Sequence, residues 1–157
     1  DILLVAVGGG GLISGVGAAV KQVHPEVRLI GIEPEGASGM TESLKLGQPL
    51  EQVEVDTIAD SLGAPLHAPV SFGVCRQVID KMVLVSDGSI CAAMAFAADE
   101  LKLALEPAGC AVLAALAGPL RDECAGQSVA AILCGSNIDT ESWGELVSRG
   151  RKYQEAS

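Results

Sequence analysis

The chain has 157 residues, of which 49% are apolar and only 3% aromatic, and it carries a net charge of −10. This length fits one domain with an aliphatic core, and the acidic balance predicts neither nucleic acid nor a membrane surface as a partner. The five cysteines form no C-x-x-C pair, so we expect reduced thiols in a cytoplasmic protein and neither a zinc site nor a disulfide framework.

The first half of the chain predicts strands and helices in alternation. Ile2–Val7 is a continuous apolar run typical of a strand buried on both faces, and Leu12–Val23 follows with helical spacing. Val27–Glu33 predicts a second strand, parallel to the first because a helix connects them. A short helix over Ala37–Leu46 and an irregular connection over 48–69, with a short strand near Thr57-Ile58 as one option, complete this half.

The second half continues the alternation. Its predicted elements are a helix over Pro69–Lys81, a strand over Met82–Val85, a long helix over Gly88–Leu105 capped by Asp87, a helix over Pro107–Leu116, a buried strand over Ser128–Cys134, and a final helix to Arg149 capped by Thr140. The chain shows neither an internal repeat nor a linker. We therefore expect one domain over 1–157 with an α/β fold, a three-layer sandwich around a mainly parallel sheet.

Four consecutive glycines, Gly8, Gly9, Gly10 and Gly11, lie between the first strand and the first helix. Such a loop offers unshielded N–H groups at close range, and the positive end of the following helix adds to them. The pattern favours a bound phosphate group. A glycine-rich turn without a ligand is the structural alternative. The loop is not a P-loop, because no Lys follows within it, and it only approximates the dinucleotide fingerprint G-x-G-x-x-G.

Two further turns are candidates for chemistry. Cys134 follows the last predicted strand, at the sheet edge where open α/β folds bind ligands, and its thiol could contact a heterocycle nitrogen. The alternative is a buried, inert thiol. Glu106 precedes the helix-opening Pro107 among small residues, which leaves room for a ligand, and the alternative there is a carboxylate that caps the helix.

Together these motifs resemble a known family. The segments VGGGGLISG, GIEPEGA, VSDGSI, EPAGCAVLAAL and LCGSNID, in this order, are similar to the fold-type-II pyridoxal-phosphate enzymes, above all the serine and threonine dehydratases and serine racemase. The resemblance covers nearly the whole chain. It implies that the chain is the C-terminal half of a dehydratase-like catalytic domain, part of that family's large domain.

The resemblance also implies roles for individual residues. Gly8–Gly11 would bind the phosphate of pyridoxal 5'-phosphate through backbone N–H groups, and Leu12 would begin the supporting helix. Cys134 falls where the family places a neutral partner beside the pyridine nitrogen, which suits elimination chemistry. Glu106 would lie near the cofactor ring.

A cation site is implied only incompletely. Glu33 and the carbonyl of Ala37 match positions that hold a divalent cation in the racemase-like branch. The family places a second carboxylate at the position of Gly39, so one carboxylate remains for Mg²⁺ or Ca²⁺.

The family also uses a Schiff-base lysine and a substrate-binding loop, both upstream of the tetraglycine segment. The five lysines of this chain, Lys21, Lys45, Lys81, Lys102 and Lys152, lie outside that context. We therefore expect a chain that binds the cofactor noncovalently, does not catalyse alone, and self-associates as a dimer to cover exposed edges. Two alternatives stay open: a non-enzymatic binding or assembly module with the same fold, and a dinucleotide-binding domain whose Glu33 contacts a ribose.

Overall fold

The computed structural model describes residues 1–156, and side chains up to Glu155. Four strands and seven α-helices alternate along these residues. The strands are β1 (Ile2–Ala6), β2 (Arg28–Pro34), β3 (Lys81–Val85) and β4 (Val129–Ala131). The helices are α1 (Gly11–Val23), α2 (Gly39–Leu46), α3 (Pro69–Val78), α4 (Asp87–Phe96), α5 (Pro107–Ala117), α6 (Arg121–Cys124) and α7 (Thr140–Ala156).

All four strands are parallel, in the order β3-β2-β1-β4. Leu4 in the middle of β1 lies between Ile30 of β2 and Ala131 of β4. The chain adds β2 and β3 on one side of β1 and then returns to place β4 on its other side. The order therefore reverses between β1 and β4, and open α/β sheets bind their ligands at the carboxyl ends of the strands at such a point.

Each face of the sheet packs against its own group of helices, which confirms the three-layer prediction. One core contains Leu4, Ile30 and Ile32 with apolar residues of α4, α5 and α7. The other contains Val5 and Leu29 with residues of α1, α2 and α3. Successive side chains of a strand point to opposite faces, so an apolar run such as ILLVA supplies both cores.

Several predicted boundaries were wrong. The third helix ends at Val78 instead of Lys81, and Lys81 begins β3. The long helix predicted to Leu105 ends at Phe96, continues as a wider π-helical turn over 97–101, and stops where Lys102 takes the left-handed conformation. The last strand pairs only over Val129–Ala131, although the amide of Ile132 still donates to the carbonyl of Leu4.

The final helix was predicted too short, because packing on α4 extends it. Helix α7 continues past Arg149 to Ala156. Gly150 lies so close to the carbonyl of Cys91 in α4 that a Cβ atom there would approach the oxygen to 1.9 Å. Arg151 also forms an ion pair with Asp99 at 2.7 Å. These partners are distant in the sequence, so the local pattern could not reveal them.

Two predicted caps were assigned to the wrong residue. Ser86, instead of Asp87, caps α4 by accepting a hydrogen bond from the amide of Ser89. At α7, the carboxylate of Asp139 accepts from two first-turn amides, those of Glu141 and Ser142, so it does the capping expected of Thr140.

The carboxylate of Asp87 has a long-range function. It accepts hydrogen bonds from the hydroxyl of Thr57 at 2.6 Å and the amide of Ile58 at 3.0 Å. The segment at Thr57-Ile58 is therefore an anchored loop, and the optional strand is absent there. Within residues 1–156, no helix is long and apolar enough to cross a membrane.

Candidate functional site

Two loops leave the same edge of the sheet side by side. The tetraglycine loop follows β1, and the segment 132–137 follows its neighbour β4. Parallel strands present their carboxyl ends at one edge, so the predicted phosphate loop and the turn with Cys134 lie side by side there, and we call the space between them the crevice. This is the position at which the strand order reverses.

The tetraglycine loop presents backbone donors that no protein group uses. Among residues 1–156, none of the amides of Gly8–Gly11 or Leu12 donates a hydrogen bond to a protein acceptor. Helix α1 begins at Gly11, so its positive end reinforces these donors. The arrangement is suited to a bound anion such as a phosphate group.

Side chains of α2 and α3 pack against the same loop at Gly10. Gly10 has a φ of 85°, and a Cβ atom there would lie 2.8 Å from Met40 Cε and 3.0 Å from Cys75 Sγ. Gly11 differs, because a Cβ atom at this position would meet nothing within 4 Å. Gly10 is therefore required by the fold, whereas the space beside Gly11 is open.

The carbonyl groups of the loop take three donors that the sequence analysis missed. His67 Nε2 lies 3.2 Å from the carbonyl oxygen of Gly8, and Ser71 Oγ donates to that of Gly9 at 2.9 Å. Cys75 Sγ donates to the carbonyl of Gly10 at 3.6 Å. No local pattern in the sequence marks these donors, because they are 59, 62 and 65 positions away from their acceptors.

His67 is buried and uses both ring nitrogens. Its Nδ1 lies 3.1 Å from the hydroxyl of Ser43, and the amide of Leu50 donates to the same hydroxyl at 3.1 Å. The carbonyl of Gly8 can only accept, so Nε2 carries the proton and Ser43 donates to Nδ1. Burial lowers the pKa of His67, opposed by the hydrogen bond to Gly8.

Cys134 and Glu106 lie together at the other border of the crevice. Cys134 is exposed, so the alternative of a buried thiol is wrong. Glu106 is 8% exposed, and its Oε2 accepts a hydrogen bond from the amide of Asn137 at 2.8 Å. The amide of Glu106 donates to the carbonyl of Gly135 at 3.1 Å. Glu106 does not cap its own helix; its carboxylate holds the turn that carries Cys134.

Glu33 and Ala37 are buried next to α2 and are not part of the phosphate loop. Glu33 is only 1% exposed, and its carboxylate accepts hydrogen bonds from the amide of Met40 at 2.7 Å and from the amide and hydroxyl of Thr41 at 2.9 and 2.6 Å. Burial raises the pKa of Glu33, while the bonds from Thr41 and Met40 oppose that shift. The carboxylate is thus directed at the start of α2.

The divalent cation implied at Glu33 and Ala37 stays a prediction, and one carboxylate is all that these two residues offer it. Both carboxylate oxygens of Glu33 already accept hydrogen bonds, and Ala37 is buried. Within the described chain, no three His, Cys, Asp or Glu side chains come together where a metal ion could bind. The same three hydrogen bonds leave Glu33 unable to turn towards a ribose, which argues against the dinucleotide alternative.

Two of the lysines pair with carboxylates at the opposite edge of the sheet. Lys21 Nζ pairs with Asp80 at 2.7 Å, and Lys81, the first residue of β3, pairs with Glu123 at 2.6 Å. Both therefore belong to the amino-end edge of the sheet. Lys102 Nζ donates to the carbonyl of Asp99 beyond α4.

Comparison with known proteins agrees with this geometry. The family model described as pyridoxal-phosphate dependent enzyme matches residues 1–135. Phenylserine dehydratase of Ralstonia pickettii is 43% identical over 150 residues, which are 96% of this chain and 46% of that protein. The biosynthetic L-threonine dehydratase of Halalkalibacterium halodurans is 36% identical over 154 residues, 98% of this chain and 37% of that protein.

Solved structures with comparable sequence identity superpose on this chain. The processed form of threonine deaminase isoform 2 from Solanum lycopersicum superposes with a TM-score of 0.87 at 35% identity, covering 94% of this chain and 43% of that one. Maize serine racemase superposes with a TM-score of 0.82 at 32% identity, covering 99% of this chain and 47% of that one. The chain thus spans less than half the length of each of these relatives.

Proposed function

Because the chain belongs to the family of pyridoxal-phosphate-dependent enzymes, we propose that it supplies the cofactor-binding part of an amino-acid ammonia-lyase of the serine and threonine dehydratase type. One observation carries the proposal. The amides of consecutive glycines have no protein acceptor within the described chain, and they lie at the start of α1. This is where the strand order reverses between β1 and β4. A phosphate monoester satisfies such donors.

The residues of the crevice fit the cofactor. Gly8–Gly11 and Leu12 hold its phosphate through backbone N–H groups, and the open space beside Gly11 admits it. The exposed thiol of Cys134 takes the ring nitrogen as its partner, while Glu106 keeps the turn of Cys134 in place. When bound, pyridoxal phosphate supplies an electron sink for the bond-breaking step at the amino acid.

The covalent anchor of the cofactor lies outside this part of the molecule in our proposal. Lys21 and Lys81 are paired with carboxylates at the opposite edge of the sheet, and Lys102 is held at the end of the π-helical turn. A lysine that binds the cofactor must reach its aldehyde in the crevice. The chain by itself then binds pyridoxal phosphate noncovalently and does not release ammonia from serine or threonine.

The test is a titration of the purified chain with pyridoxal phosphate, followed by borohydride reduction and mass spectrometry. We expect saturable binding without a covalent adduct. A stoichiometric adduct on one lysine would contradict the assignment of the anchor and restore catalysis by this chain. Absence of binding would favour the alternative, a module that kept the fold for binding or assembly and lost the cofactor.

A further inference from the structure

We propose that His67, Ser71 and Cys75, here called the donor row, are positioning residues that aim the amides of the tetraglycine loop at the cofactor phosphate. The inference rests on the proposed function and extends it to side chains that do not touch the ligand. Three observations support it: the bond from each donor to a different carbonyl of the loop, the geometry of the peptide unit, and the contacts that hold His67 and Cys75.

The donor row pairs with the loop in register. Ser71 and Cys75 are four residues apart and share one side of α3, and His67 lies in the connection just before that helix. His67, Ser71 and Cys75 bind the carbonyls of Gly8, Gly9 and Gly10 in the same order. The hydroxyl of Ser71 also lies 3.1 Å from the carbonyl of Ala68, and the carbonyl of Gly10 also accepts from the amide of Ser14 at 3.0 Å.

The next carbonyl, that of Gly11, accepts a hydrogen bond from Ser14 Oγ at 3.0 Å, which is a local bond within the first turn of α1. Four successive carbonyls therefore have a side-chain donor.

Peptide geometry converts these bonds into an orientation of the amides. In a trans peptide the C=O of one residue and the N–H of the next point in opposite directions, and no cis peptide occurs in the described chain. Holding the carbonyls of Gly8, Gly9 and Gly10 towards the donor row therefore turns the amides of Gly9, Gly10 and Gly11 away from it. These are the amides that lack a protein acceptor within residues 1–156.

The row is itself held in place. Ser43 fixes the ring of His67 from the other nitrogen, in the tautomer that donates to Gly8. Cys75 is buried, and burial raises the pKa of its thiol to about 11, so the proton needed for donation stays on sulfur. Glycine has the greatest backbone freedom of any residue, so an unsupported run of four would have to be ordered by the ligand at an entropic cost.

The sharpest test removes one donor of the row. Ser71→Ala deletes the hydroxyl that binds Gly9, while the alanine is a better helix former than serine, so the variant should fold. Ser71→Thr keeps a hydroxyl. Ser148→Ala, on the exposed side of α7, is the matched control.

Comparing pyridoxal phosphate with pyridoxal distinguishes contacts to the phosphate group from contacts to the ring. We expect Ser71→Ala to weaken pyridoxal phosphate binding about three- to tenfold, the loss of one hydrogen bond, and to leave pyridoxal binding unchanged because pyridoxal has no phosphate. Ser71→Thr should restore the affinity, and Ser148→Ala should match the unaltered protein. Equal affinities of Ser71→Ala and the unaltered protein for pyridoxal phosphate would overturn the inference.

A measurement without ligand separates this inference from the proposed function. Backbone ¹⁵N order parameters of Gly9, Gly10 and Gly11 should fall in Ser71→Ala, from about 0.85, typical of rigid backbone, towards 0.6 or lower. Unchanged order parameters would show that the donor row does not order the loop. Failure of the unaltered protein to bind pyridoxal phosphate, with the order parameters falling as expected, would instead contradict the proposed function.

Discussion

Four polar side chains are buried within the described chain, and each is hydrogen-bonded to the backbone of a loop or a helix start, directly or through a neighbour. Glu33, Ser43, His67 and Glu106 share this property. A buried polar group without a partner would cost about 1–3 kcal/mol, so these side chains fix the position of the segments they hold. Glu106 supports the turn of Cys134, and His67 supports the phosphate loop. Their effect on the site is therefore structural as well as chemical.

His67 makes the stability of the fold depend on pH. Its pKa is lowered in the folded protein from the usual 6.5, so the folded state binds fewer protons than the unfolded state below that pH. The neutral ring of His67 therefore contributes its full stabilisation above about pH 6.5, and this contribution is lost as the pH falls towards the folded pKa. The loss amounts to about 1.4 kcal/mol for each unit by which folding lowers the pKa.

The measurement compares urea unfolding of the unaltered protein and His67→Gln at about pH 7.5 and about pH 5.5. We expect the free energy of unfolding to fall more in the unaltered protein than in the variant. His24→Gln is the control, since His24 is exposed at the end of α1. Equal falls in the unaltered protein and His67→Gln would contradict the lowered pKa.

At the scale of elements, α1 depends on the glycine that precedes it. Gly10 is the N-cap residue in the left-handed conformation, and no side chain caps this helix. A Cβ atom there would be strained by the left-handed backbone and would press against the ends of the Met40 and Cys75 side chains. The element thus begins where the backbone can turn sharply enough to present its first amides to the crevice.

Gly10→Ala should destabilise the fold by about 2–4 kcal/mol. The alanine would have to adopt the left-handed backbone conformation, and its methyl group would crowd its neighbours, so the two costs add. Gly11→Ala is the matched control, with open space for its methyl group, and should change the free energy of unfolding by less than about 1 kcal/mol. Chemical denaturation of both variants measures the difference. Equal stabilities would mean that Met40 and Cys75 repack around the new methyl group without cost.

For the whole molecule, the outer strands bear on the predicted dimer. β3 and β4 are the edges of a four-stranded sheet, and Phe96, Leu101 and Leu103 expose 44%, 40% and 40% of their surface. Free edges and apolar surface favour pairing with another chain. The dimer stays a prediction that size-exclusion chromatography with light scattering can test, and a monomeric mass at all concentrations would contradict it. The cytoplasmic location is likewise still a prediction.

The fold and the border of the crevice followed from the sequence alone. Strand and helix periodicity is local, and parallel strands present their carboxyl ends at one edge, so the sequence was sufficient to place Gly8–Gly11 and Cys134 each after a strand of the same sheet. The order of the motifs was sufficient to predict the family, and the comparisons with known proteins confirmed it.

Only the tertiary structure decided what each side chain contacts. The bonds from His67, Ser71 and Cys75 to the loop join residues 59, 62 and 65 positions apart, and no local pattern specifies such partners. For the same reason the sequence could not show that Glu33 is committed to the start of α2, or that Glu106 holds the turn at Asn137. Periodicity determines which face of an element is buried, whereas the partner of a polar group depends on which elements meet there.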